Sequence, residues 1–180
     1  MSIRTDWQLA MKFTHGPSTL AWTLVGSALI GLAALVTPRY RVLYNASDSA
    51  PRGWYVLVPT NDVRLGTLVF AQLPENAATL AAERGYLPNS VPILKQVAAT
   101  RGDYVCTKNR VLTINDVPTG RALESDGAGR RLDYWTHCRS LEDGELFLLG
   151  TGNAASFDSR YFGPVNVAAI TGRAIPLWTW

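Results

Sequence analysis

The chain opens on one long uncharged stretch and then changes to short alternating runs. From Gly16 to Pro38 no residue carries a charge, and the apolar density peaks in LAWTLVGSALIGLAALV, Leu20 to Val36. At ~1.5 Å per residue a helix over this stretch reaches ~34 Å, enough to cross a hydrocarbon core of ~30 Å. A cleaved secretory signal would close a shorter apolar region on a small-x-small site. This run ends instead in Val-Thr-Pro-Arg-Tyr-Arg, and it reads as a retained anchor. Downstream, strand-length apolar runs alternate with turn residues: RGWYVLVP, LGTLVFAQL, VPILKQVAA, DYVCTKN, RVLTIND, ELFLLG and NVAAITGRAIPLW. Their length and their Val, Ile, Leu and aromatic content predict strands. One helical pattern stands among them, NAATLAAERGY from Asn76 to Tyr86, which closes on a glycine. The expected architecture is a mainly β domain on a single N-terminal transmembrane helix. Residues 1–15 form a cytoplasmic tail, 16–38 the anchor and 39–180 one folded domain.

Composition agrees with a chain that meets lipid. Apolar residues make up 47% and charged residues 17%, against about 25% charged in an average soluble protein. The net charge of +3 comes from scattered Lys and Arg with no basic run, which excludes a nucleic-acid partner. Arg4 and Lys12 precede the apolar stretch while Arg39, Arg41 and Arg52 follow it, so positive charge alone does not orient it. The two cysteines, Cys106 and Cys138, both lie beyond the stretch. A disulfide between them would require an oxidising compartment and put the domain outside the cytoplasm; two unpaired thiols are the alternative. A structural zinc site takes about four ligands, and only His137 stands beside Cys138. Neither a metal nor another cofactor is expected.

The chain has no G-x-S-x-G and no H-E-x-x-H, and its only histidines are His15 and His137. A serine hydrolase built from this sequence would need a base other than histidine. Three segments carry candidate chemistry. In YNASDSAPRGWY, Tyr44 to Tyr55, Pro51 and Gly53 favour a turn that could present a hydroxyl beside backbone N–H groups. It would serve equally as a polar connection, and Asn45-Ala46-Ser47 within it also matches a glycosylation sequon. Lys95 is the one charge in the apolar run VPILKQVAA. Burial would lower its pKa and make it a base, unless its ammonium reaches solvent. SFDSRYFG, Ser156 to Gly163, puts an acid, an arginine and hydroxyls side by side, enough to orient a lysine or to make a turn with a local ion pair.

In this order the segments resemble the type I signal peptidases. The shared features are the anchor, Ser47-Asp48-Ser49, then Lys95 followed by Gly102-Asp103, then Ser156-Phe-Asp158-Ser-Arg160-Tyr-Phe-Gly163. The resemblance implies that Ser49 is the nucleophile and Lys95 its base, with Asp158 a further catalytic member. It implies an oxyanion hole from the Ser49 N–H and the Ser47 hydroxyl, and orienting roles for Ser156 and Arg160. Asp103 would be a turn residue. Ala50-Pro51-Arg-Gly53 after the nucleophile and Gly150-Thr151-Gly152 before the last block depart from the housekeeping enzymes. They are similar to the TraF-like branch of conjugative transfer systems. That branch also carries a cysteine pair and a G-R-x-L-x-x-W-x-x-C stretch, here Gly129 to Cys138 with one extra arginine.

The activity implied is that of a membrane-bound serine endopeptidase that cleaves, or cyclises, a conjugative pilin precursor. The alternatives are a general signal peptidase acting on signal-peptide-bearing proteins and a non-catalytic tethered scaffold. The implied setting is the bacterial inner membrane, single-pass, with the catalytic domain in the periplasm and other transfer proteins as partners. Ser49 follows Val36 by 13 positions, at most ~45 Å of extended chain, so the site works near the bilayer. Trp54 and Tyr55 are expected either at that interface or in the core of a strand.

Overall fold

The computed structural model describes residues 17–35, 41–60 and 62–180. They divide between Pro38 and Arg39 into two compact units. The first holds α1, Pro17–Leu35, which carries no charged residue. Its larger apolar side chains Leu20, Trp22, Leu24, Val25, Leu29 and Ile30 are all exposed. Among the described residues no helix is long and apolar enough to cross a membrane. The expected tail, residues 1–15, lies outside the described residues, as do both ends of the expected anchor and with them Arg4, Lys12, His15 and Arg39.

The second unit is mainly β. Its strands are β1 (Arg41–Asn45), β2 (Gly53–Val58), β3 (Leu68–Ala71), β4 (Ile93–Ala99), β5 (Tyr104–Lys108), β6 (Val111–Ile114), β7 (Val117–Arg121), β8 (Cys138–Ser140), β9 (Glu145–Leu149), β10 (Val165–Asn166) and β11 (Ile170–Thr179). Two short helices accompany them, α2 (Glu75–Glu83) and α3 (Ser159–Phe162). One sheet has seven strands in the order β1-β2-β11-β3-β4-β9-β10, and a smaller one runs β7-β6-β5-β8. All the pairings are antiparallel.

Every apolar run marked out in the sequence becomes a strand, the last one entered through a 3-10 turn at Val167–Ala169. β1, β7 and β8 have no counterpart among those runs: VPTGR and CRS lack an apolar run, and RVLYN lies between the uncharged stretch and the turn segment. β7 lies at the edge of its sheet, where Pro118 removes no needed ladder donor. α2 begins at Glu75 and ends at Glu83, inside the expected Asn76–Tyr86 at its C-terminus. Gly85, at φ +70°, takes the left-handed conformation that stops the helix.

The core follows from the strands' two faces. Val69, Ala71, Ile93, Val97, Leu146, Leu148 and Val165 pack together on one side. Tyr55, Leu57, Phe70, Leu94 and Ala174 pack on another. Val105, Leu112, Leu141 and Phe147 tie the small sheet to β9. Tyr55 is therefore a core residue, 1% exposed, while its neighbour Trp54 is on the surface. At Gly53, φ is +141° and an added Cβ would lie 2.1 Å from the Trp178 carbonyl oxygen. Only glycine lets β11 close against the start of β2 there.

Cys106 and Cys138 face each other across β5 and β8 and are bridged. The bond closes a loop between residues 32 apart, a constraint on the unfolded chain of about 3–4 kcal/mol. Reduction of the full chain in detergent is expected to lower its melting temperature by about 10 °C. A calorimetric transition unchanged by reductant would contradict that.

Candidate active site

The hairpin of β1 and β2 is joined by residues 46–52, and this loop holds Ser47 and Ser49. Three attachments fix its course. Thr151 and Gly152 donate backbone N–H groups to the Ser49 carbonyl at 2.9 and 3.2 Å. The Tyr55 hydroxyl donates to the Pro51 carbonyl at 2.6 Å. Asn45, buried at the end of β1, donates from Nδ2 to the carbonyls of Ser47, Ala50 and Pro51. Ser49 is buried beneath this bracing, and its Oγ lies 2.8 Å from Ser47 Oγ. No acceptor among the described residues takes the Ser49 N–H, which leaves it available for an incoming oxygen.

Lys95 comes from β4, where Val69 of β3 is its cross-strand partner. The residue is 4% exposed, and Nζ donates to Ser156 Oγ at 2.8 Å. Burial disfavours the ammonium and lowers its pKa from 10.5 to about 8. Asp158 opposes that shift and Arg160 adds to it. Ser49, Lys95, Ser47 and Ser156 all line one cleft of about 560 Å³. In this state the amine donates to Ser156 while Ser49 Oγ is held by Ser47, so the two groups share the cleft before any bond forms between them. Such contacts commonly tighten only with substrate in place.

Asp158 and Arg160 stand behind the cleft. Arg160 donates from Nε and Nη2 to the two oxygens of Asp158, each at 2.8 Å, and both residues are buried. The remaining Arg160 donors go to the carbonyls of Arg121, Ala154 and Ser156. Asp158 also caps α3 through the Arg160 N–H and accepts the Gly150 N–H at 2.9 Å. The pair thus ties together α3, the end of β9 and the segment carrying Ser156. Gly150 packs so tightly that an added Cβ would lie 2.2 Å from Ser156 Oγ and 3.1 Å from Ser49 Cβ.

The sequence segments thus converge: Ser47, Ser49, Lys95 and Ser156 in the cleft wall, Asp158 and Arg160 beneath it. His137 is exposed just before β8 and does not line the cleft. Asp103 accepts the Thr100 N–H and an Asn115 side-chain bond in the β4–β5 turn, as a turn residue would. Trp135 of the Gly129–Cys138 stretch lies against Gly163 and donates its backbone N–H to the Arg160 carbonyl. Asn45, noted in the sequence only as part of a sequon, and Gly150 pack against the two serines of the cleft at positions that pattern and charge did not mark. Among the described residues no three His, Cys, Asp or Glu side chains converge to hold a metal ion.

A buried amine with a lowered pKa, a serine hydroxyl and a free backbone N–H in one cleft are the parts of acyl-transfer chemistry without histidine. Residues 17–179 match the family model described as signal peptidase, peptidase S26. The chain belongs to the signal peptidase family, peptidase S26. It is a serine-type peptidase. The relatives of this signal peptidase include the conjugal transfer protein TraF of Agrobacterium fabrum, 33% identical over 87% of this chain and 90% of that one. The plasmid transfer protein TraF of Escherichia coli is 32% identical over 76% of this chain and 82% of that one. A crystal structure of a signal peptidase I from Enterococcus faecalis aligns with 64% of this chain and 97% of that chain at 20% identity, with a TM-score of 0.38.

Removing the carboxylate beneath the cleft is expected to be costly. Asp158→Ala would leave the Arg160 guanidinium buried without its counter-ion, a loss of about 3–5 kcal/mol of stability. Urea unfolding of the variant checks this; a loss below 1 kcal/mol would show that the pair is solvated or redundant.

Proposed function

We propose that this signal peptidase is a membrane-anchored endopeptidase of a conjugative transfer system, with Ser49 as nucleophile and Lys95 as general base. The observation that carries the reading is the burial of the Lys95 amine, held by Ser156 in the cleft that also holds Ser49. An amine with a pKa near 8 is neutral in an appreciable fraction near physiological pH and can take a hydroxyl proton. Ser156 orients that amine. Asp158 and Arg160 are buried and do not line the cleft, so they hold the geometry from behind, and Asp158 is a positioning residue and not the further catalytic member that the resemblance implied.

In the reaction Ser49 Oγ bonds to the scissile carbonyl carbon as its proton passes to Lys95. The Ser49 N–H and the Ser47 hydroxyl donate to the oxyanion. Protonated Lys95 returns the proton to the leaving amine, the peptide bond breaks, and an acyl-enzyme remains. Water then releases the new C-terminus; an amine arriving first would instead form a new peptide bond. Ile93, Leu94 and Lys95 pair with β3, whereas β9 joins β4 only from Gln96 onward. That leaves a strand edge beside the cleft on which an extended substrate can lie.

The substrate is a membrane-inserted precursor, a pilin of the transfer system, and the TraF relatives support that context. The exposed apolar residues of α1 support an anchor over Gly16–Pro38. Tyr44, Trp54, Trp178 and Trp180 cluster at the end of the sheet that carries the Ser49 loop, all exposed, with adjacent rings 5.1–6.2 Å apart. Such rings favour the headgroup layer, so this end of the domain rests on the bilayer. The disulfide suits an oxidising periplasm, with the tail, residues 1–15, in the cytoplasm.

Two measurements test the reading. The intact mass of a co-expressed pilin precursor should fall with the wild type and stay whole with Ser49→Ala. A further loss of one water from the product would mark ring closure, and shortening by the variant would remove Ser49 as nucleophile. Because the neutral amine is the active form, kcat/KM should rise about tenfold per pH unit up to a midpoint near 8 and level above it. A profile already flat at pH 6 would remove Lys95 as base.

A further inference from the structure

Asn45 ends β1 with a side chain only 7% exposed, and every hydrogen bond of its carboxamide goes to the nucleophile loop. Nδ2 donates to the carbonyls of Ser47, Ala50 and Pro51 at 3.0, 3.2 and 3.1 Å. Oδ1 accepts the Ser47 N–H at 3.1 Å and the Ser47 hydroxyl at 2.8 Å. The amide can stand in one orientation only. Turned over, its NH2 would face the Ser47 N–H and its oxygen would face three carbonyls.

That orientation decides where two protons point. An amide oxygen only accepts, so the single hydroxyl proton of Ser47 is committed to Asn45. The 2.8 Å contact between Ser47 Oγ and Ser49 Oγ must then be donated by Ser49. The resting order is Ser49 to Ser47 to Asn45.

We propose that Asn45 is a positioning residue for the oxyanion hole, holding Ser47 by both its backbone N–H and its hydroxyl. This rests on the reading of Ser49 as nucleophile. When a scissile carbonyl enters, the Ser49 proton leaves for Lys95 and the Ser47 proton turns about its Cβ–Oγ bond toward the oxyanion. Ser47 Oγ itself stays in place, because Asn45 still holds the Ser47 N–H. A donor positioned before charge develops contributes most to its stabilisation. An aspartate would keep both acceptor contacts but lose all three donations, and its charge would face the carbonyls.

The test is a double-mutant cycle on the full chain in detergent, with a fluorogenic peptide carrying an Ala-x-Ala cleavage site. Ser47→Ala is expected to lower kcat about 10²-fold, as for loss of one oxyanion donor. Asn45→Ala should lower kcat about 10- to 100-fold with KM little changed, and by less than about threefold in the Ser47→Ala background. The acid limb of its pH profile should keep the wild-type midpoint, since Lys95 is untouched. An equal loss in both backgrounds, a displaced acid limb or no loss at all would overturn the proposal. If Asn45→Ala does not melt cooperatively, the cycle is run with the uncharged Asn45→Ser, whose loss must likewise fall below about threefold once Ser47 is gone. Ser49→Ala runs alongside: activity in that variant would remove the parent reading, whereas an inactive one leaves the cycle to judge Asn45 alone.

Discussion

A lysine amine at 4% exposure in the middle of β4 is held in its charged form only at a cost. Moving its pKa from 10.5 to about 8 corresponds to about 3 kcal/mol against the ammonium. The sign follows from the direction of the shift. Below pH 8 the lysine is protonated both folded and unfolded, and the whole penalty is present. As pH rises from 8 to 10.5 the folded chain has lost its proton while the unfolded chain has not, and the penalty is relieved. The same burial that weakens the fold at neutral pH raises the fraction of amine that is unprotonated there, a balance common at catalytic sites.

Much of the surrounding structure serves to keep that amine in a defined place. β4 pairs with β3 from Ile93 to Gln96 and with β9 from Gln96 onward, so the backbone at Lys95 is held on one side and braced just beyond it. The Ser156 hydroxyl meets Nζ, and Ser156 is held in turn through its carbonyl by Arg160. Asp158 then supplies the charge that lets a guanidinium sit in the interior, with every oxygen engaged. Gly150 passes through the gap left between Ser49 and Ser156, where a methyl group would not fit. Asn45 does for the serine loop what Asp158 and Arg160 do for the lysine side: one buried polar group satisfies several loop atoms at once.

Long apolar segments and special residue types were readable from the chain itself. Hydrophobic spacing marked most strands and α2, because burial of one or both faces imposes a period on the sequence. Lys95 and the segments 44–55 and 156–163 stood out as a lone charge in an apolar run and as clustered hydroxyls and opposite charges, but which of their residues would act was implied only by the resemblance to the signal peptidases. β1, β7 and β8 escaped, since strands at the edge of a sheet need no long apolar run. Asn45 escaped as well, because an asparagine before a turn is common for local reasons, and Gly150 was marked only by its resemblance to one branch of the family, not by the packing that requires a glycine there.

By itself, then, the sequence determined the strand-rich character of the domain, an uncharged N-terminal stretch, and the residue types able to perform acyl transfer without histidine. The tertiary structure decided which of those residues meet. It brought residues 45–49, Lys95 and Ser156 to one cleft, put Asp158 and Arg160 beneath it, and paired Cys106 with Cys138. It also separated Tyr55 from Trp54, one into the core and one onto an aromatic patch. The physical reason is that each of these outcomes depends on strand register and on close approach between segments far apart in the chain. Local pattern constrains neither; only the packed sheet does.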